Sequence, residues 1–429
     1  MKKVLIITYY WPPSGGAGVQ RWLKLSKYLD QFNILPYILT ADEKYASYIS
    51  TDPSLCDDIG ENVKVIKTKS FEPINLYGKI AGKKNIPTAG FSNVDNDKFS
   101  QKIINAIRSN LFIPDPRRGW NLYAYKKAVQ IINQEKIDTI ITTSPPHSTQ
   151  LIGLKLKRNL NIKWIADFRD PWTDIYYYKI LNHSYISSAI DRKYEEKVLT
   201  NCDKISTVSE GFKKLFQNKG LNLPDTKFSV IPNGYDPEDF KLKKKKSRDK
   251  FIICYTGTIS EQYNPYIFID EFSNIINEFP KQTIKLRFVG IVYKKLKLYI
   301  KKIGIDKQVE IIPTVPHSMA IDYIINANAL LLIIPELKNS YGIIPGKLFE
   351  YLATNNQIIC IGDTECDAAK IIRDCNAGIT FNRESDSGLK NYLFNLVTDF
   401  INGSENSVCK EKIEYYSRKN LASEFAEII

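Results

Sequence analysis

Short apolar runs rich in β-branched residues alternate with longer amphipathic segments along most of this chain, and this alternation limits the possible folds more than any other feature. It is typical of βα units arranged around parallel sheets. The strands that it predicts in the first half are Val4–Thr8, Pro36–Thr40, Val63–Thr68, Thr139–Thr143, Trp164–Phe168, Ile205–Ser209 and Phe228–Pro232. The predicted helices between them include Gln20–Leu29, Tyr123–Gln134, Ser148–Leu160 and Ile190–Thr200. Residues from about 70 to 118 interrupt the alternation with many Lys, Asn, Gly and Pro residues, which predicts a long loop or insertion.

The alternation begins again after a sharp turn at Ile231–Pro237 and a lysine-rich run, Lys241–Lys250. The strands predicted in the second half are Phe251–Tyr255, Ile284–Val289, Val309–Pro313, Ala329–Ile334, Gln357–Ile361 and Gly378–Phe381. A chain of 429 residues is long enough to form more than one domain. We therefore predict an α/β fold with two Rossmann-like, doubly wound domains, residues 1–238 and 248–405, that face each other across a cleft.

Composition excludes several classes of protein. The chain is 43% hydrophobic and 25% charged, which excludes a disordered chain. No run of about 18 uncharged apolar residues occurs, so no transmembrane helix is expected. The apolar run at Val4 ends by Tyr10 without a small-residue cleavage site, which favours a buried strand over a signal peptide.

The titratable residues narrow the possible environment and partners of the chain. Seven scattered cysteines without a C-x-x-C pair, and only three histidines, argue against structural zinc and a disulfide framework. Such cysteine usage favours a reducing, cytoplasmic location. The net charge of +13 favours anionic partners, namely nucleic acids, phosphorylated small molecules or an acidic membrane surface.

Two loops that follow predicted strands of the first half contain candidate ligand-binding residues, since ligands of open α/β sheets bind outside the carboxyl ends of the strands. Gly15 and Gly16 follow the first strand and precede a helix, in either a phosphate- or sugar-binding turn or a tight βα turn. This loop lacks the G-x-G-x-x-G pattern of dinucleotide sites. His147 follows the fourth strand, where an imidazole could donate, accept or carry charge in contact with sugar hydroxyls or phosphate.

A charged cluster follows the fifth strand. Asp167, Arg169 and Asp170 form either an ion-paired group or an acceptor-binding group, and we favour the second because charge at a sheet edge is costly without a use. The predicted residues for acceptor or sugar binding are Gly15, Gly16, Arg21, Asp167, Arg169 and Asp170.

The strongest signal lies in the second half, at Asn339–Ala353. Pro345 and Gly346 begin a helix whose unpaired amides would face the same way as Lys347, and together they predict a diphosphate site. Glu350, one turn later, suits the two hydroxyls of a ribose, the alternative being a surface ion pair with Lys347. The predicted donor-binding residues are Gly257, Thr258, Asn339, Ser340, Tyr341, Gly342, Gly346, Lys347, Leu348 and Glu350.

Three segments carry a resemblance to a known family: Tyr9–Gly18, Ile231–Phe240 and Pro345–Ala353. They resemble family-4 glycosyltransferases of the GT-B type, and more closely the bacterial members found in capsule, lipopolysaccharide and exopolysaccharide assembly. The resemblance implies transfer of a sugar from a nucleotide-sugar to a glycan or polyprenyl-linked acceptor, with retention of anomeric configuration and without a metal or other cofactor. It also implies that the first domain binds the acceptor, that the second binds the donor, and that the C-terminal helix, 408–429, packs back on the first.

The resemblance also implies roles for single residues. Lys347 would contact the donor diphosphate and Glu350 the ribose, Gly15 and Gly16 would approach the phosphate or the transferring sugar, and His147 would contact that sugar. We expect His147, Lys347 and Glu350 to be the catalytic residues.

The sequence departs from the family pattern at two points. Gly342 stands where the family usually has a second glutamate. No arginine follows the Gly257 turn, where many relatives place one on the diphosphate, and Arg287 is a candidate substitute.

Alternative functions remain open at this stage. A nucleotide-sugar epimerase can use the same two-domain architecture. A nucleic-acid-binding protein is disfavoured because the dense basic run lies in the predicted linker without interleaved aromatic residues. Docking of the basic surface on the anionic inner face of the plasma membrane, where a lipid-linked acceptor would be presented, is a further hypothesis. Asp95 and Asp97 have the D-x-D spacing of some metal–nucleotide sites, but we interpret their segment as a solvated loop.

Overall fold

The computed structural model describes residues 1–48, 50–72, 110–176, 178–241, 249–337, 339–384, 387–404 and 408–429. These residues form two compact units, the first comprising Met1–Pro232 with Arg418–Ile429 and the second Asn233–Ser417. Most of the predicted lysine-rich linker and of the predicted insertion, including Asp95 and Asp97, lies outside the described residues.

The first unit is built on a parallel sheet with the strand order β3-β2-β1-β4-β5-β6-β7. Its strands are β1 (Lys2–Ile7), β2 (Ile34–Ala41), β3 (Lys64–Thr68), β4 (Thr139–Ser144), β5 (Lys163–Phe168), β6 (Lys204–Thr207) and β7 (Phe228–Val230). Its helices are α1 (Ala17–Tyr28), α2 (Asn121–Glu135), α3 (Ser148–Asn159), α4 (Tyr185–Asn201) and α5 (Glu210–Gln217). The central strand β1 is buried on both faces from Val4 to Ile7, as expected of a parallel sheet covered by helices.

The second unit repeats this plan with the strand order β10-β9-β8-β11-β12-β13, again parallel throughout. Its strands are β8 (Lys250–Thr256), β9 (Thr283–Val289), β10 (Val309–Ile312), β11 (Ala329–Ile333), β12 (Gln357–Ile361) and β13 (Gly378–Phe381). Its helices are α6 (Tyr266–Glu278), α7 (Lys294–Lys302), α8 (His317–Ile325), α9 (Gly346–Ala353), α10 (Asp367–Asp374), α11 (Ser387–Asn402) and α12 (Lys410–Tyr415). Alternate residues of β11 enter two different cores, Leu330 and Leu332 one of them and Leu331 and Ile333 the other. The sheet is therefore doubly wound.

Several strands and helices begin or end at residues other than the predicted ones, and side-chain caps explain two of these differences. β6 ends at Thr207, before the predicted Ser209, because the Ser209 hydroxyl accepts the Phe212 amide at 3.2 Å and caps α5. Helix α4 begins at Tyr185, five residues before the prediction, because the Ser184 hydroxyl accepts the Ser187 amide and caps it.

The C-terminal segment divides between the units, whereas the prediction placed 408–429 on the first domain as one helix. Helix α12 belongs to the second unit, where Ile413 is buried in the core. The last helix, α13 (Arg418–Ile428), belongs to the first unit and buries Leu421 and Phe425 there. Phe425 lies 4.8 Å from Trp22 of α1, measured between ring centroids. None of the described helices is long and apolar enough to span a membrane.

Candidate functional site

The start of helix α9 is open. Pro345 precedes the helix with an extended backbone, and no side chain of the described residues caps the first amides. A Cβ added at Gly346 would likewise have none of the described atoms within 4 Å, its chain neighbours aside. The first amides of a helix lack carbonyl partners within the helix and carry its positive dipole end, so this end is suited to an anion.

Lys347 is held next to the glycine turn that follows β8. Its ammonium group, Nζ, donates to the Thr256 carbonyl oxygen and lies 4.0 Å from the centroid of the Tyr255 ring. A Cβ at Gly257 would lie 3.1 Å from this Nζ, and the φ of Gly257 is +101°, so glycine leaves room for the lysine. Burial lowers the pKa of Lys347 to about 7, against the opposing charge of Glu350. The predicted neighbours Lys347, Gly257 and Gly346 are thus brought together.

Gly290, which the sequence analysis did not identify, lies directly against the Gly257 turn. A Cβ at Gly290 would clash with the carbonyl oxygen of Gly257, and the φ of Gly290 is +134°. The available signal was its position, directly after the end of β9 at Val289. The Gly257 turn therefore lies against the backbone of the neighbouring strand.

Glu350 lies one turn after Lys347 on α9 and contacts a histidine that the sequence did not indicate. The distance between Oε1 of Glu350 and Nε2 of His317 is 2.9 Å. Each side chain retains 24% of its exposure, so the pair remains within reach of a ligand. His317 is the first residue of α8, which follows β10.

The predicted donor residues Asn339 to Gly342 differ from one another in backbone conformation and in burial. Asn339 has φ +62°, and Ser340–Gly342 form a single 3-10 turn with Gly342 buried. Lys370 of α10 donates to the hydroxyl of Tyr341, and its Nζ lies 4.7 Å from the centroid of that ring. The side chain of Tyr341 is therefore held by α10.

Two further donor predictions concern backbone or core positions. Thr258 accepts a hydrogen bond from the Tyr255 hydroxyl through its carbonyl oxygen, at 2.9 Å. The prediction that Leu348 binds the donor needs correction, since its side chain is 0% exposed in the core and its amide donates to the Pro345 carbonyl. Its place on the packing side of α9 follows from the spacing with Leu352, which is buried in the same core.

Arg287, the candidate substitute for the diphosphate arginine, is paired with a neighbouring strand. Its Nε lies 2.8 Å from Oε2 of Glu310 on β10, and its guanidinium lies 5.3 Å from the centroid of the Tyr323 ring. Its Nε is therefore engaged by Glu310, and its role as the substitute stays a prediction.

A pocket of about 920 Å³ opens at the carboxyl ends of β11, β12 and β13. Its lining residues are Asn264, Ile334, Pro335, Glu336, Leu337, Ser340, Gly362, Asp363, Cys366, Asn382, Arg383 and Glu384. Ser340 connects it to the predicted donor segment, whereas Lys347 and Glu350 do not line it. It is therefore adjacent to the Lys347 site and distinct from it.

In the first unit, the glycine turn after β1 is open at one position and closed at the other. Gly16 precedes α1 with φ +92°, is exposed, and would have no atom within 4 Å of an added Cβ. Gly15 donates its amide to the Ser50 carbonyl at 2.9 Å. Gly16 thus leaves the first turn of α1 accessible.

Arg21 and Asp167 do not line an accessible surface, which corrects their predicted contact with an acceptor. The side chains are 1% and 0% exposed and form an ion pair of 2.9 Å. Trp22 and Thr143 also donate to Asp167, each at 2.8 Å. Burial acts to raise the pKa of Asp167, but Arg21 and these hydrogen bonds outweigh it and lower that pKa. The structure supports the ion-paired alternative.

Arg169 is likewise a structural residue and not an exposed acceptor contact. Its guanidinium donates to the carbonyl oxygens of Gly18, of Pro145 at 2.6 Å and of Ser144 at 3.3 Å. It therefore joins the first turn of α1 to the loop after β4. Asp170 is half-buried beside it, and burial raises the pKa of its carboxyl group against the charge of Arg169.

His147 lies in that same loop with its ring stacked on Trp172. The ring centroids are 5.0 Å apart and the planes differ by 11°. Both ring nitrogens are buried, and neither has a hydrogen-bond partner among the described residues. Burial, together with the charge of Arg169, lowers the pKa of His147 to about 3. The ring is therefore neutral at physiological pH, which corrects the expectation that it could carry charge there.

Within the described residues, no three His, Cys, Asp or Glu side chains are grouped so that they could hold a metal ion. Metal independence stays a prediction.

Residues 90–239, about a third of the chain, match the model of Glycosyltransferase Family 4. Both units have the architecture of GT-B glycosyltransferases along the whole chain. The chain has the GT-B fold, and its resemblance to family-4 glycosyltransferases is confirmed. The family match ends at residue 239, so the predicted donor-binding segment, Asn339–Ala353, lies outside it.

Three solved structures illustrate the similarity of this GT-B chain to proteins of known structure. Sucrose-phosphate synthase from Thermosynechococcus elongatus has a TM-score of 0.61 at 12% identity, over 100% of this chain and 98% of its own. WaaG, a glycosyltransferase involved in lipopolysaccharide biosynthesis, has a TM-score of 0.57 at 12% identity, over 99% of both chains. HepE from Anabaena, in complex with UDP-glucose, has a TM-score of 0.59 at 11% identity, over 100% of this chain and 99% of its own. No curated protein matches the chain in sequence.

Proposed function

We propose that the chain is a retaining glycosyltransferase that moves a sugar from a nucleotide-sugar to a hydroxyl group of a glycan or lipid-linked acceptor. The second unit would hold the donor and the first unit the acceptor. The observation that carries this proposal is the convergence of three features at one place: the open start of α9, the ammonium group of Lys347 beside the Gly257 turn, and Glu350 one turn further. An anion site next to a polar pair of this kind suits a nucleoside diphosphate.

The proposed reaction separates a nucleoside diphosphate from the anomeric carbon of the sugar. The bond between that carbon and the diphosphate oxygen breaks, and negative charge develops on the leaving diphosphate. The acceptor hydroxyl oxygen bonds to the same carbon on the face that the diphosphate leaves, and its proton passes to the leaving diphosphate. The first amides of α9 and the protonated form of Lys347 would stabilise this charge. Because a diphosphate leaves with its charge already delocalised, no carboxylic acid pair of the glycosidase type is required.

The biological setting is proposed from the likenesses. HepE binds UDP-glucose and WaaG acts in lipopolysaccharide biosynthesis, which favours a nucleotide-sugar donor and a role in cell-surface polysaccharide synthesis for this chain. We propose that the reaction needs no metal. We further propose a cytoplasmic enzyme whose net charge of +13 attracts it to anionic membrane bearing the acceptor.

A donor screen followed by a transfer assay tests the proposal. Sugar nucleotides with uracil, guanine, adenine and thymine bases are first compared by the rise in melting temperature, since a ligand that binds only the folded chain raises it. The stabilising donor is then incubated with lipid-linked and free glycan acceptors, with and without a chelator. Acceptor-dependent release of nucleoside diphosphate supports the proposal. Conversion of the sugar without an acceptor would indicate an epimerase, and the absence of any stabilising donor would overturn the proposal.

A further inference from the structure

Glu350 and His317 lie on two helices that follow two different strands. Glu350 lies on α9, which follows β11, and His317 begins α8, which follows β10. The two residues are 33 positions apart, and Oε1 lies 2.9 Å from Nε2. Neither side chain is fully buried, so the pair is not part of the core.

Helices α8 and α9 contribute to the same hydrophobic core. Ile321 and Ile324 of α8 belong to it together with Leu348 and Leu352 of α9. After the end of α9, the side-chain amide of Asn356 donates to the Ile324 carbonyl oxygen at 2.9 Å. The shared core and this hydrogen bond limit the movement of the imidazole relative to the carboxylate.

A glutamate side chain has three rotatable bonds and loses orientation when nothing holds it. A carboxylate has two oxygens with about four acceptor positions, and the bond to His317 uses one of them. An imidazole placed rigidly on Oε1 selects one orientation of the Glu350 carboxylate. That carboxylate is half-buried and lies one helical turn after Lys347.

We propose that His317 is a positioning residue for the donor: it orients Glu350 toward the ribose hydroxyls and so sets the preference for ribonucleotides over deoxyribonucleotides. This inference rests on the proposed function, because it takes the ligand of the α9 site to be a nucleoside diphosphate. If the contact between His317 and Glu350 served only to hold the two helices together, the chain would bind ribonucleotides and deoxyribonucleotides equally well. The preference for ribose over deoxyribose therefore distinguishes a positioning role of His317 from a structural one.

The test measures dissociation constants of UDP, GDP and ADP, and of their 2′-deoxy counterparts, with the full chain. The wild type is expected to bind at least one ribonucleotide with a clear preference over its deoxy form. His317→Ala is expected to reduce this preference roughly 3- to 10-fold, the range of one lost hydrogen bond, with little change in affinity for the deoxynucleotide. Glu350→Ala is expected to abolish the preference.

Two amide variants keep the test decisive if His317→Ala folds poorly. His317→Gln places an N–H donor near the position of Nε2 and is expected to retain most of the preference. His317→Asn has the same polar group on a side chain that is one carbon shorter, and it is expected to lose as much of the preference as His317→Ala. This inference alone would be overturned if the wild type prefers a ribonucleotide and the His317→Ala and His317→Asn variants keep that preference in full. A wild type that binds none of the three diphosphates and is stabilised by no sugar nucleotide of the donor screen would overturn the proposed function and this inference together.

Discussion

Each unit carries charged residues that the sequence predicted to bind a ligand, and the structure gives the two sets opposite environments. In the first unit, Arg21 and Asp167 are buried with almost no exposure and use their polar atoms on each other and on neighbouring protein groups. In the second unit, Glu350 stays half-buried and α9 begins without a side-chain cap. Charge after a parallel strand is therefore not by itself evidence of a ligand site. The accessibility of the charged group decides between a structural and a functional role.

The largest expected effect is on the stability of the first unit. Asp167→Ala leaves the buried Arg21 guanidinium without its carboxylate, and breaking such a pair costs about 3–5 kcal/mol. Chemical denaturation should show this loss, and the double variant Arg21→Met/Asp167→Ala, which removes both charges, is the control that should recover part of it. If Asp167→Ala were as stable as the wild type but had lost acceptor binding, the structural role of the pair would be contradicted.

Lys347→Met should affect turnover strongly and stability little, the reverse of what we expect for Asp167→Ala. The substitution removes a cation that burial already disfavours and keeps the apolar chain, so we expect stability to change by less than about 1 kcal/mol. Turnover should fall roughly 10²–10³-fold because the leaving diphosphate loses its cation. Steady-state kinetics and thermal unfolding of the same preparation measure both quantities. Unchanged turnover would remove Lys347 from the donor site.

The pH dependence of diphosphate binding gives a second test of this lysine. The pKa of Lys347 is about 7 in the free chain, and a bound diphosphate would raise it, so the complex binds more protons than the free chain. Affinity should therefore be highest below pH 7 and fall up to about tenfold per pH unit above it, until the pKa of the complex is reached.

Isothermal titration calorimetry between pH 7.5 and 9 measures this slope, a range in which a terminal phosphate with a pKa of about 6 is already ionised. The Lys347→Met variant serves as the control and should show a flat profile. A wild-type slope that persists in this variant would assign the proton to another group.

The smallest expected effect compares the two glycine turns. Gly257→Ala and Gly16→Ala both force alanine into a backbone region with positive φ, at a cost of about 1–3 kcal/mol each. Only at Gly257 does the added Cβ also approach the ammonium group of Lys347, at 3.1 Å. Melting temperatures should fall similarly for both variants, and diphosphate affinity should fall further for Gly257→Ala than for Gly16→Ala. Equal loss of affinity would mean that the Gly257 turn has no special relation to Lys347.

Much of the fold was predictable because parallel strands are continuous apolar runs, and β12 and β13 match their predicted bounds without a shift. The meeting of Lys347 with the Gly257 turn was also predictable in kind, since both follow strands at one edge of a sheet. The contact between His317 and Glu350 was not, because it depends on the packing of two helices. The burial of Arg21 and Asp167, 146 positions apart, likewise depends on tertiary structure that no local pattern encodes.

The central claim is that the start of α9, Lys347 and Glu350 form the site of a nucleoside diphosphate in the second unit. A crystal structure of the chain with the best-binding nucleoside diphosphate tests it most directly. The account predicts phosphate oxygens within hydrogen-bond distance of the Gly346 amide and of Nζ of Lys347, and a ribose hydroxyl on the carboxylate of Glu350. A diphosphate bound in the adjacent 920 Å³ pocket, or on the first unit alone, would contradict it.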